Sequence, residues 1–424
     1  MTDEPKNERD LLNELKEVWR LYMDHYVIGN KELKELMFHV FLGVVLTNKK
    51  FGYIESGDKQ CSTRIHAFII QDSGTGKTQT MEALYNLVDF LKISCRKTIQ
   101  DNEACLTGSV FQGKDNKTIK KEGILSKLKL LVWDEGSVLL SDAPHMNMNV
   151  LTSQFQHVMD EPGKVSKGMK YDVINYPCNC TVVAGSYMFD GFKNTILTKG
   201  FLQRMFLSYK EFTPEEEKEI RIGVELMKLQ QNPEKIKKIR EKIRTLTDMI
   251  PNKIDKYLLF DKEDVKKYLA IKESLYSKYI VGQFTGDKQR ILKTFFQRFH
   301  VLVNKVATQR AVINGHERVN YEDIMYGVKV CEPNLKNLLQ LFDMMYMGKS
   351  SSASEEKERI IIDIIKKHGQ LTQKDLLLEL NDKKKRGKWD LGYNRTLDII
   401  KMMMTKNIIL YQTGDKNSKI LYVE

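Results

Sequence analysis

The sequence predicts an α/β protein in which helices cover a parallel sheet, followed by a smaller C-terminal domain. Short apolar runs at residues 67–71, 128–133 and 180–184 are separated by longer helical or loop stretches, and such runs are typical of buried parallel strands. Residues 214–342 show an almost wholly helical pattern. The Gly- and Ser-rich segment 348–354 then predicts a flexible linker.

The composition is that of an ordinary globular chain. Its 424 residues are 42% hydrophobic and 29% charged, and at roughly 150 residues per domain they predict two or three domains. The six cysteines show no paired CxxC spacing, which argues against a disulfide scaffold or a usual zinc site. The net charge of +12 permits a polyanionic partner, although a solvated lysine-rich surface is the commoner cause.

The expected location follows from what the sequence does not contain. No apolar run approaches the roughly 18 residues that span a bilayer, and the N-terminus is too charged for a signal peptide. We therefore expect an intracellular, cytoplasmic protein without a membrane partner, associated with the nucleoid if it comes from a prokaryote or a mobile element.

The remaining elements complete the predicted domain order. Residues 9–50 have apolar side chains at helical spacing, with a break at 26–30 that contains a glycine. The predicted parts are an N-terminal helical extension at 1–22, an α/β core at 23–212, a helical lid at 213–347, the linker at 348–354 and a C-terminal domain at 355–424.

The C-terminal domain has the pattern of a winged helix-turn-helix. Three helical segments precede two short apolar strands with a turn between them. The predicted bounds are 355–368, 372–380 and 393–406 for the helices and 408–411 and 420–423 for the strands. A dense basic run at 383–388 predicts either a duplex-binding surface or a solvated turn.

A glycine-bearing turn joins the first apolar strand to a helix predicted to begin near Lys77. Residues 71–78 read QDSGTGKT, which matches a P-loop except that Gln71 replaces the first glycine. In this motif backbone N–H groups cradle phosphates at a helix N-terminus. Lys77 would contact the β- and γ-phosphates of ATP, and the Thr78 hydroxyl would hold Mg²⁺.

A second strand ends in two adjacent acids. Residues 130–133 are apolar and are followed by Asp134 and Glu135, which is the Walker B pattern. Asp134 would complete the Mg²⁺ shell, and Glu135 would polarise the attacking water as general base. Many strands end in acids, so the P-loop upstream is what makes this pair informative.

Several blocks, in the same order along the chain, resemble the AAA+ motor of the minichromosome maintenance (MCM) helicases. They are residues 27–34, 72–79, 103–110, 156–160, 164–170, 181–186, 200–206 and 298–319. The resemblance covers roughly residues 20–345, and the C-terminal domain resembles the winged helix of the family. Since little precedes the motor, we expect the compact form of viruses and mobile elements, without the N-terminal collar.

The resemblance implies a nucleotide site that two neighbouring subunits complete. Residues implied in nucleotide binding are Val27, Ile28, Asp72, Ser73, Gly74, Thr75, Gly76, Lys77, Thr78 and Gln79. Ser186 stands where the sensor-1 strand of the family has Asn. Arg204 falls at the arginine finger and Arg298 at sensor 2, with Arg290 as the alternative register, and these arginines would act on a neighbour's nucleotide. The alternative for each arginine is a structural role.

Two basic segments fall where the family contacts DNA. Lys164, Lys167 and Lys170 lie at the position of a β-hairpin and would grip the phosphate backbone of one strand. Lys114 and Lys117 lie at the position of the family's helix-2 insert. For both segments the alternative is a solvated loop.

The sequence therefore predicts an ATP- and Mg²⁺-dependent DNA helicase. It would act in replication as a ring homo-oligomer, a hexamer by resemblance, on single-stranded and forked DNA, with an initiator or a primase as further candidate partners. One alternative is an AAA+ initiator or helicase loader that binds DNA without unwinding it. Another is a nucleotide-switched interaction protein in which Glu135 is idle.

Overall fold

The computed structural model describes most of the chain. The described residues are 10–28, 30–72, 74–98, 103–112, 115, 117–136, 148–168, 172–187, 200–229, 232–251, 256–281, 286–346, 353–381, 393–405, 409–413 and 419–422. The chain divides into two compact units, residues 1–340 and 341–424.

Helices and short strands alternate up to residue 346. The helices are α1 (Leu11–Met23), α2 (Lys31–Asn48), α3 (Lys77–Phe90), α4 (Glu103–Thr107), α5 (Met148–Met159), α6 (Pro214–Leu229), α7 (Pro233–Asp248), α8 (Lys262–Tyr279), α9 (Gly286–Ile313) and α10 (Tyr321–Tyr346). The strands are β1 (Gly52–Ile54), β2 (Gln60–Ser62), β3 (His66–Ile70), β4 (Cys95–Thr98), β5 (Gly108–Gln112), β6 (Thr118–Glu122), β7 (Leu130–Trp133), β8 (Lys164–Gly168), β9 (Val173–Pro177), β10 (Thr181–Ser186), β11 (Met205–Tyr209), β12 (Tyr257–Phe260) and β13 (Arg318–Val319). No helix in the described ranges has the length and apolar character needed to cross a membrane.

A five-stranded parallel sheet lies at the centre of the first unit. Its strand order is β11–β3–β10–β7–β4, and every neighbouring pair is parallel. All residues of β3, β7, β10 and β11 are buried, which is why these strands are largely apolar in the sequence. The predicted α/β class and parallel sheet are thus confirmed, with the three predicted strands displaced by one or two residues at their ends.

The register of this sheet brings three chain segments to one edge. Ser186 pairs with Ile70, and Ala184 pairs with Trp133. The turn after β3, the end of β10 and the acids after β7 therefore lie next to one another. The carboxyl ends of parallel strands are where open α/β sheets bind ligands.

The described part of the region 214–342 is mostly helical, as predicted, with two short strands that the pattern did not indicate. It contains α6 to α10 but also β12 and β13, which form a second sheet in the order β13–β12–β1–β2. A Cβ on Gly52 would lie 2.1 Å from the Cys61 carbonyl oxygen and 2.8 Å from the Tyr257 ring, so glycine permits this close approach. Strands this short leave too little periodicity to be recognised beside long charged helices.

The two N-terminal helices confirm the helical pattern of residues 9–50. The Trp19 indole of α1 donates to the Lys34 carbonyl of α2 at 2.8 Å. Asn30 caps α2, its side-chain oxygen accepting from the Leu33 amide at 3.1 Å. Because α1 also packs against α7, its residues belong to the compact first unit.

A buried ion cluster fixes the loop that follows α5. The Glu161 carboxylate accepts from the Ser62 amide and hydroxyl at 3.2 and 2.7 Å, from Arg64 Nη2 at 3.2 Å and from Lys305 Nζ at 2.9 Å. Burial raises the pKa of Glu161, but the Arg64 and Lys305 charges and these hydrogen bonds outweigh it and lower the pKa to about 2. The cluster ties this loop to β2, to the start of β3 and to α9.

Replacing Glu161 by Gln should lower the free energy of unfolding by about 3 kcal/mol or more, because two buried cations lose their counter-charge. The folded-state pKa of about 2 lies below the ordinary value of 4.5. The stabilisation is therefore fully present above about pH 5 and is lost as the pH falls toward 2. Melting temperatures of both proteins should converge over that window, whereas a constant difference would contradict the assignment. The exposed pair of Asp172 with Lys120 offers a control, since Asp172→Asn should change the melting temperature little.

The second compact unit contains helices and a small antiparallel sheet. Its elements are α11 (Ala353–His368), β14 (Leu371–Thr372), α12 (Gln373–Asn381), α13 (Tyr393–Thr405), β15 (Leu410–Thr413) and β16 (Lys419–Tyr422). The strand order is β14–β16–β15, and the core includes Ile361, Leu376, Ile400 and Leu421. The predicted three helices and two strands are present. The basic run at 383–388 lies outside the described residues, as does most of the predicted linker.

Candidate functional site

The turn between β3 and α3 contains two glycines with positive φ and leads directly into the helix N-terminus. Gly74 has a φ of 82° and Gly76 a φ of 90°, conformations that strongly favour glycine. Gly76 is the N-cap of α3, so the amides of the first turn have no partner inside the helix and face the space in front of it. Ser73, also predicted in this loop, lies outside the described residues.

Lys77 lies in this loop with most of its side chain buried. Its Nζ donates to the Gln71 carbonyl at 3.3 Å. Burial lowers the pKa of Lys77, and the nearby carboxylates of Asp134, Glu135 and Asp72 act in the opposite direction. An ammonium that is partly stripped of water and held beside an open loop is suited to an anionic ligand.

Gln71, which replaces the first P-loop glycine, lies beneath the loop. Its side chain is fully buried, and Oε1 lies 3.5 Å from the Thr75 hydroxyl, which donates to the Asp72 carbonyl at 2.7 Å. Its Nε2 has no hydrogen-bond partner among the described residues. The departure from the motif is therefore accommodated behind the loop, away from its open side.

One hydrogen bond joins the P-loop to the acids after β7. Thr78 Oγ1 donates to Asp134 Oδ1 at 3.0 Å. The Asp134 amide in turn donates to the Thr98 carbonyl at 3.2 Å, which holds the end of β7 against β4. The Glu135 side chain is exposed. The two predicted metal ligands are thus in contact, with the predicted general base next to them.

Strand β10 contributes the third side of the site. Ser186 is 1% exposed, and its hydroxyl donates to the Tyr187 carbonyl at 2.9 Å. A Cβ on Gly185 would lie 2.6 Å from Met81 Cε and 3.1 Å from Lys77 Cδ, so glycine leaves room for the lysine stem. Tyr187 has an exposed side chain at the site and carries no recognisable signal in the sequence.

These segments enclose a cavity of about 220 Å³. Its lining residues are Asp72, Gly74, Gly76, Lys77, Thr78, Gln79, Asp134, Glu135, Gly185, Ser186 and Tyr187. The cavity therefore brings together most of the predicted P-loop, both acids and Ser186. Thr75 is 3% exposed and supports the loop from within.

Val27 and Ile28, which the resemblance implied in nucleotide binding, do not line this cavity, and their predicted contact with the nucleotide stays a prediction. Val27 is 2% exposed, and its Cγ1 would lie 3.2 Å from a Cβ on Gly76, so it packs behind the loop. Ile28 packs against Gly223 of α6, where a Cβ would lie 2.1 Å from Ile28 Cδ1. Both residues are packing residues in this structure.

The donor set at Thr78 and Asp134 fits Mg²⁺. Among the described residues no three His, Cys, Asp or Glu side chains form a metal-binding group. Mg²⁺ is commonly held by one or two protein oxygens together with water and phosphate oxygens, so a hydroxyl and a carboxylate are a sufficient protein contribution.

The two predicted arginines lie together in a different cavity of about 360 Å³. Its lining residues are Tyr53, Glu55, Lys59, Cys61, Met159, Asp160, Glu161, Gln203, Arg204, Arg298, Val301, Leu302 and Lys305. This cavity shares no lining residue with the P-loop cavity. Arg290, the alternative register, is exposed and does not line it.

Both arginines lie beside one carboxylate, that of Asp160. Arg204 Nε and Nη2 donate to the two Asp160 oxygens at 2.7 and 3.2 Å, and Nη1 donates to the Gly200 carbonyl at 2.7 Å. Arg298 Nη1 lies 3.9 Å from Asp160 Oδ1. Asp160 had no predicted role, and its only signal was its place in the block 156–160.

Strands β8 and β9 form a hairpin at residues 164–177, where a hairpin was expected. Lys164 is exposed. The Lys167 side chain is only 12% exposed, and its Nζ lies 3.0 Å from Glu103 Oε1, so its ammonium faces a carboxylate in this structure and its contact with DNA stays a prediction. Lys170 lies outside the described residues.

Strands β5 and β6 form a second hairpin at the predicted basic loop, next to the first. Every residue of β6 is exposed, as is Lys117, whereas Lys114 lies outside the described residues. Phe111 and Ile119 are cross-strand partners and are 45% and 43% exposed. The described part of this hairpin thus presents basic and apolar side chains to solvent.

No protein-family model and no curated protein matches the chain. The geometry of the two cavities and the resemblance of the motifs therefore carry the functional conclusion.

Proposed function

We propose that this chain is an ATP-hydrolysing motor of the AAA+ class, similar to the MCM helicases, that unwinds DNA as a ring. The observation that carries the proposal is the separation of the two cavities. One holds the P-loop and the Walker B acids, and the other holds an arginine pair that shares no lining residue with it.

Five side chains that line the P-loop cavity would act in phosphoryl transfer. Bound Mg²⁺·ATP would supply a phosphoanhydride bond open to in-line attack by water. Thr78 and Asp134 would hold the metal ion, and Lys77 would neutralise phosphate charge. Glu135 receives the proton of the attacking water, and Ser186 offers a hydroxyl at the end of β10.

The arginines support a ring. Charge on the transferred phosphoryl group is commonly stabilised by an arginine, supplied either within the chain or by a partner. Here Arg204 and Arg298 line a separate cavity, so we assign them to the nucleotide of an adjacent copy. In a closed ring of identical subunits each nucleotide site receives the arginines of a neighbour, and the resemblance indicates six subunits.

The two hairpins support a single-stranded DNA substrate. Lys117, Lys121 and Lys164 are exposed, and the exposed Phe111 lies on β5 in the same hairpin as Lys117 and Lys121. Lysines neutralise the phosphate backbone, while an aromatic ring stacks on bases irrespective of sequence. The C-terminal unit, with the element order of a winged helix-turn-helix, is assigned to binding duplex DNA or a protein partner.

The test is ATP-dependent unwinding of forked DNA, comparing substrates with a 3′ tail and a 5′ tail, with Lys77→Ala as the inactive control. Unwinding that requires Lys77 supports the helicase, and the preferred tail gives its polarity. ATP hydrolysis without unwinding on either substrate would contradict the helicase assignment.

One observation favours the second candidate, an AAA+ initiator or helicase loader. The ammonium of Lys167 is paired with Glu103, so this hairpin offers fewer DNA contacts than a translocating motor was expected to have. Replacing Lys117 and Lys164 by Ala should abolish unwinding if the hairpins grip the strand, but should leave a loader largely functional. Lys262→Ala, an exposed lysine on α8, is the matched control.

A further inference from the structure

Asp160 lies between the two arginines of the second cavity. We propose that it is a positioning residue that holds Arg204 and Arg298 together as one anion-receiving pair for an adjacent subunit. This inference rests on the proposed function, and it assigns to Asp160 a task that the sequence did not indicate.

The hydrogen bonds of Arg204 fix its plane without using all its donors. Asp160 receives Nε and one N–H of Nη2, and the Gly200 carbonyl receives one N–H of Nη1. A guanidinium has five N–H groups, so one on each terminal nitrogen is left for a further acceptor. Two N–H groups on a fixed plane can donate to the oxygens of a phosphate.

The charged side chains around the cavity leave an excess of positive charge on these two arginines. Of the other cations that line it, Lys59 pairs with Glu55 at 2.6 Å and Lys305 with Glu161 at 2.9 Å. The carboxylate of Asp160 therefore has to balance two guanidinium groups, those of Arg204 and Arg298. One carboxylate reduces their mutual repulsion enough to keep them close, yet leaves one unit of positive charge for an incoming anion.

The backbone of Asp160 is held by the protein interior. Its amide donates to the Gln156 carbonyl at 3.0 Å, and its carbonyl accepts from Arg64 Nη2 at 3.3 Å. The next residue, Glu161, belongs to the buried ion cluster. The carboxylate is therefore placed by a rigid support, which is what a positioning residue requires.

The first measurement is the ATPase rate of the full-length Asp160→Asn protein under assembling conditions. We expect kcat to fall about tenfold with a smaller change in KM, because the arginines act on the transition state. Asp160→Glu, which keeps the charge, should recover part of the loss. Glu263→Gln removes an exposed carboxylate on α8, which pairs with Lys266 at 2.7 Å away from both cavities, and should leave kcat within about twofold. An unchanged or higher rate of Asp160→Asn would overturn the proposal.

The second measurement mixes inactive and impaired subunits. Lys77→Ala subunits lack a working P-loop but carry a correctly held arginine pair. Asp160→Asn subunits have an intact P-loop, but their arginine pair is no longer held in place. A mixture should hydrolyse ATP faster than the sum of the two proteins alone, because Lys77→Ala subunits supply arginines to Asp160→Asn neighbours. A merely structural role of Asp160 in its own subunit would give no such gain.

The same mixture with Arg204→Ala separates the two levels of the argument. If Arg204→Ala gains activity from Lys77→Ala and Asp160→Asn does not, the role of Asp160 is wrong and the shared site stands. If Arg204→Ala gains nothing, the shared site itself is wrong. Melting temperatures verify that each variant folds. If the Asp160→Asn protein does not fold, the same test is made with Asp160→Ser.

Discussion

Replacing Arg204 by alanine is expected to lower ATP hydrolysis per subunit about 10³-fold or more, while nucleotide affinity changes little. The reason is that the Arg204 side chain lines a cavity separate from the P-loop, so it would act on charge that develops in a neighbour's site. Steady-state hydrolysis measured over a range of protein concentrations, with binding of a fluorescent nucleotide, separates the two effects. Wild-type activity per subunit should also rise with concentration, because an isolated subunit lacks its arginine.

The control for this prediction is an arginine on the same helix as Arg298. Arg290→Ala should leave the rate of hydrolysis near that of the wild type, whereas Arg298→Ala should lower it. The reason is that Arg298, unlike Arg290, lines the second cavity and lies beside Asp160. A rate that is independent of protein concentration, or full activity of Arg204→Ala, would show that each subunit hydrolyses ATP without its neighbour.

Replacing Glu135 by Gln is expected to lower hydrolysis by about 10²- to 10⁴-fold and to retain nucleotide binding. Gln keeps the shape of the side chain but cannot accept the proton of the attacking water. The exposed Glu135 carboxylate lies at the cavity, while the neighbouring Asp134 is bonded to Thr78. Rapid-quench measurement of single-turnover hydrolysis checks the chemical step directly.

This prediction separates an enzyme from a nucleotide-operated switch. If the wild-type protein binds ATP but shows no turnover with DNA at saturation, Glu135 is idle and the switch is favoured. Glu17→Gln is a suitable control. Glu17 is exposed and lies on α1, away from the site, so its replacement should leave the rate of ATP hydrolysis unchanged.

The parts of the site that lie on buried parallel strands were predictable. A strand covered on both faces is mostly apolar, so β3, β7 and β10 contain short apolar runs that the sequence shows. The residues that follow such strands lie at one edge of the sheet. The P-loop and Walker B motifs pointed to Lys77 and Asp134, and the family resemblance pointed to Ser186; all three line the same cavity.

The parts that depend on contacts between distant segments were not predictable. Nothing local marks Asp160 as the partner of Arg204, or Glu103 as the partner of Lys167. A lysine looks the same in the sequence whether its ammonium faces solvent or a carboxylate. β12 and β13 were missed because their stability comes from pairing with each other and with β1, not from their own pattern.

The pairing of early strands with late ones also governs how the chain can fold during synthesis. β3 needs β10 and β11, β1 needs β12, and His39 on α2 is hydrogen-bonded to Gln309 on α9. Such large separations in sequence slow folding, because the chain loses the entropy of closing a long loop before the stabilising contacts can form. The nascent chain must therefore carry the apolar surface of α2 uncovered until α9 has left the ribosome. Intermediates of this kind expose apolar surface and are therefore prone to aggregate.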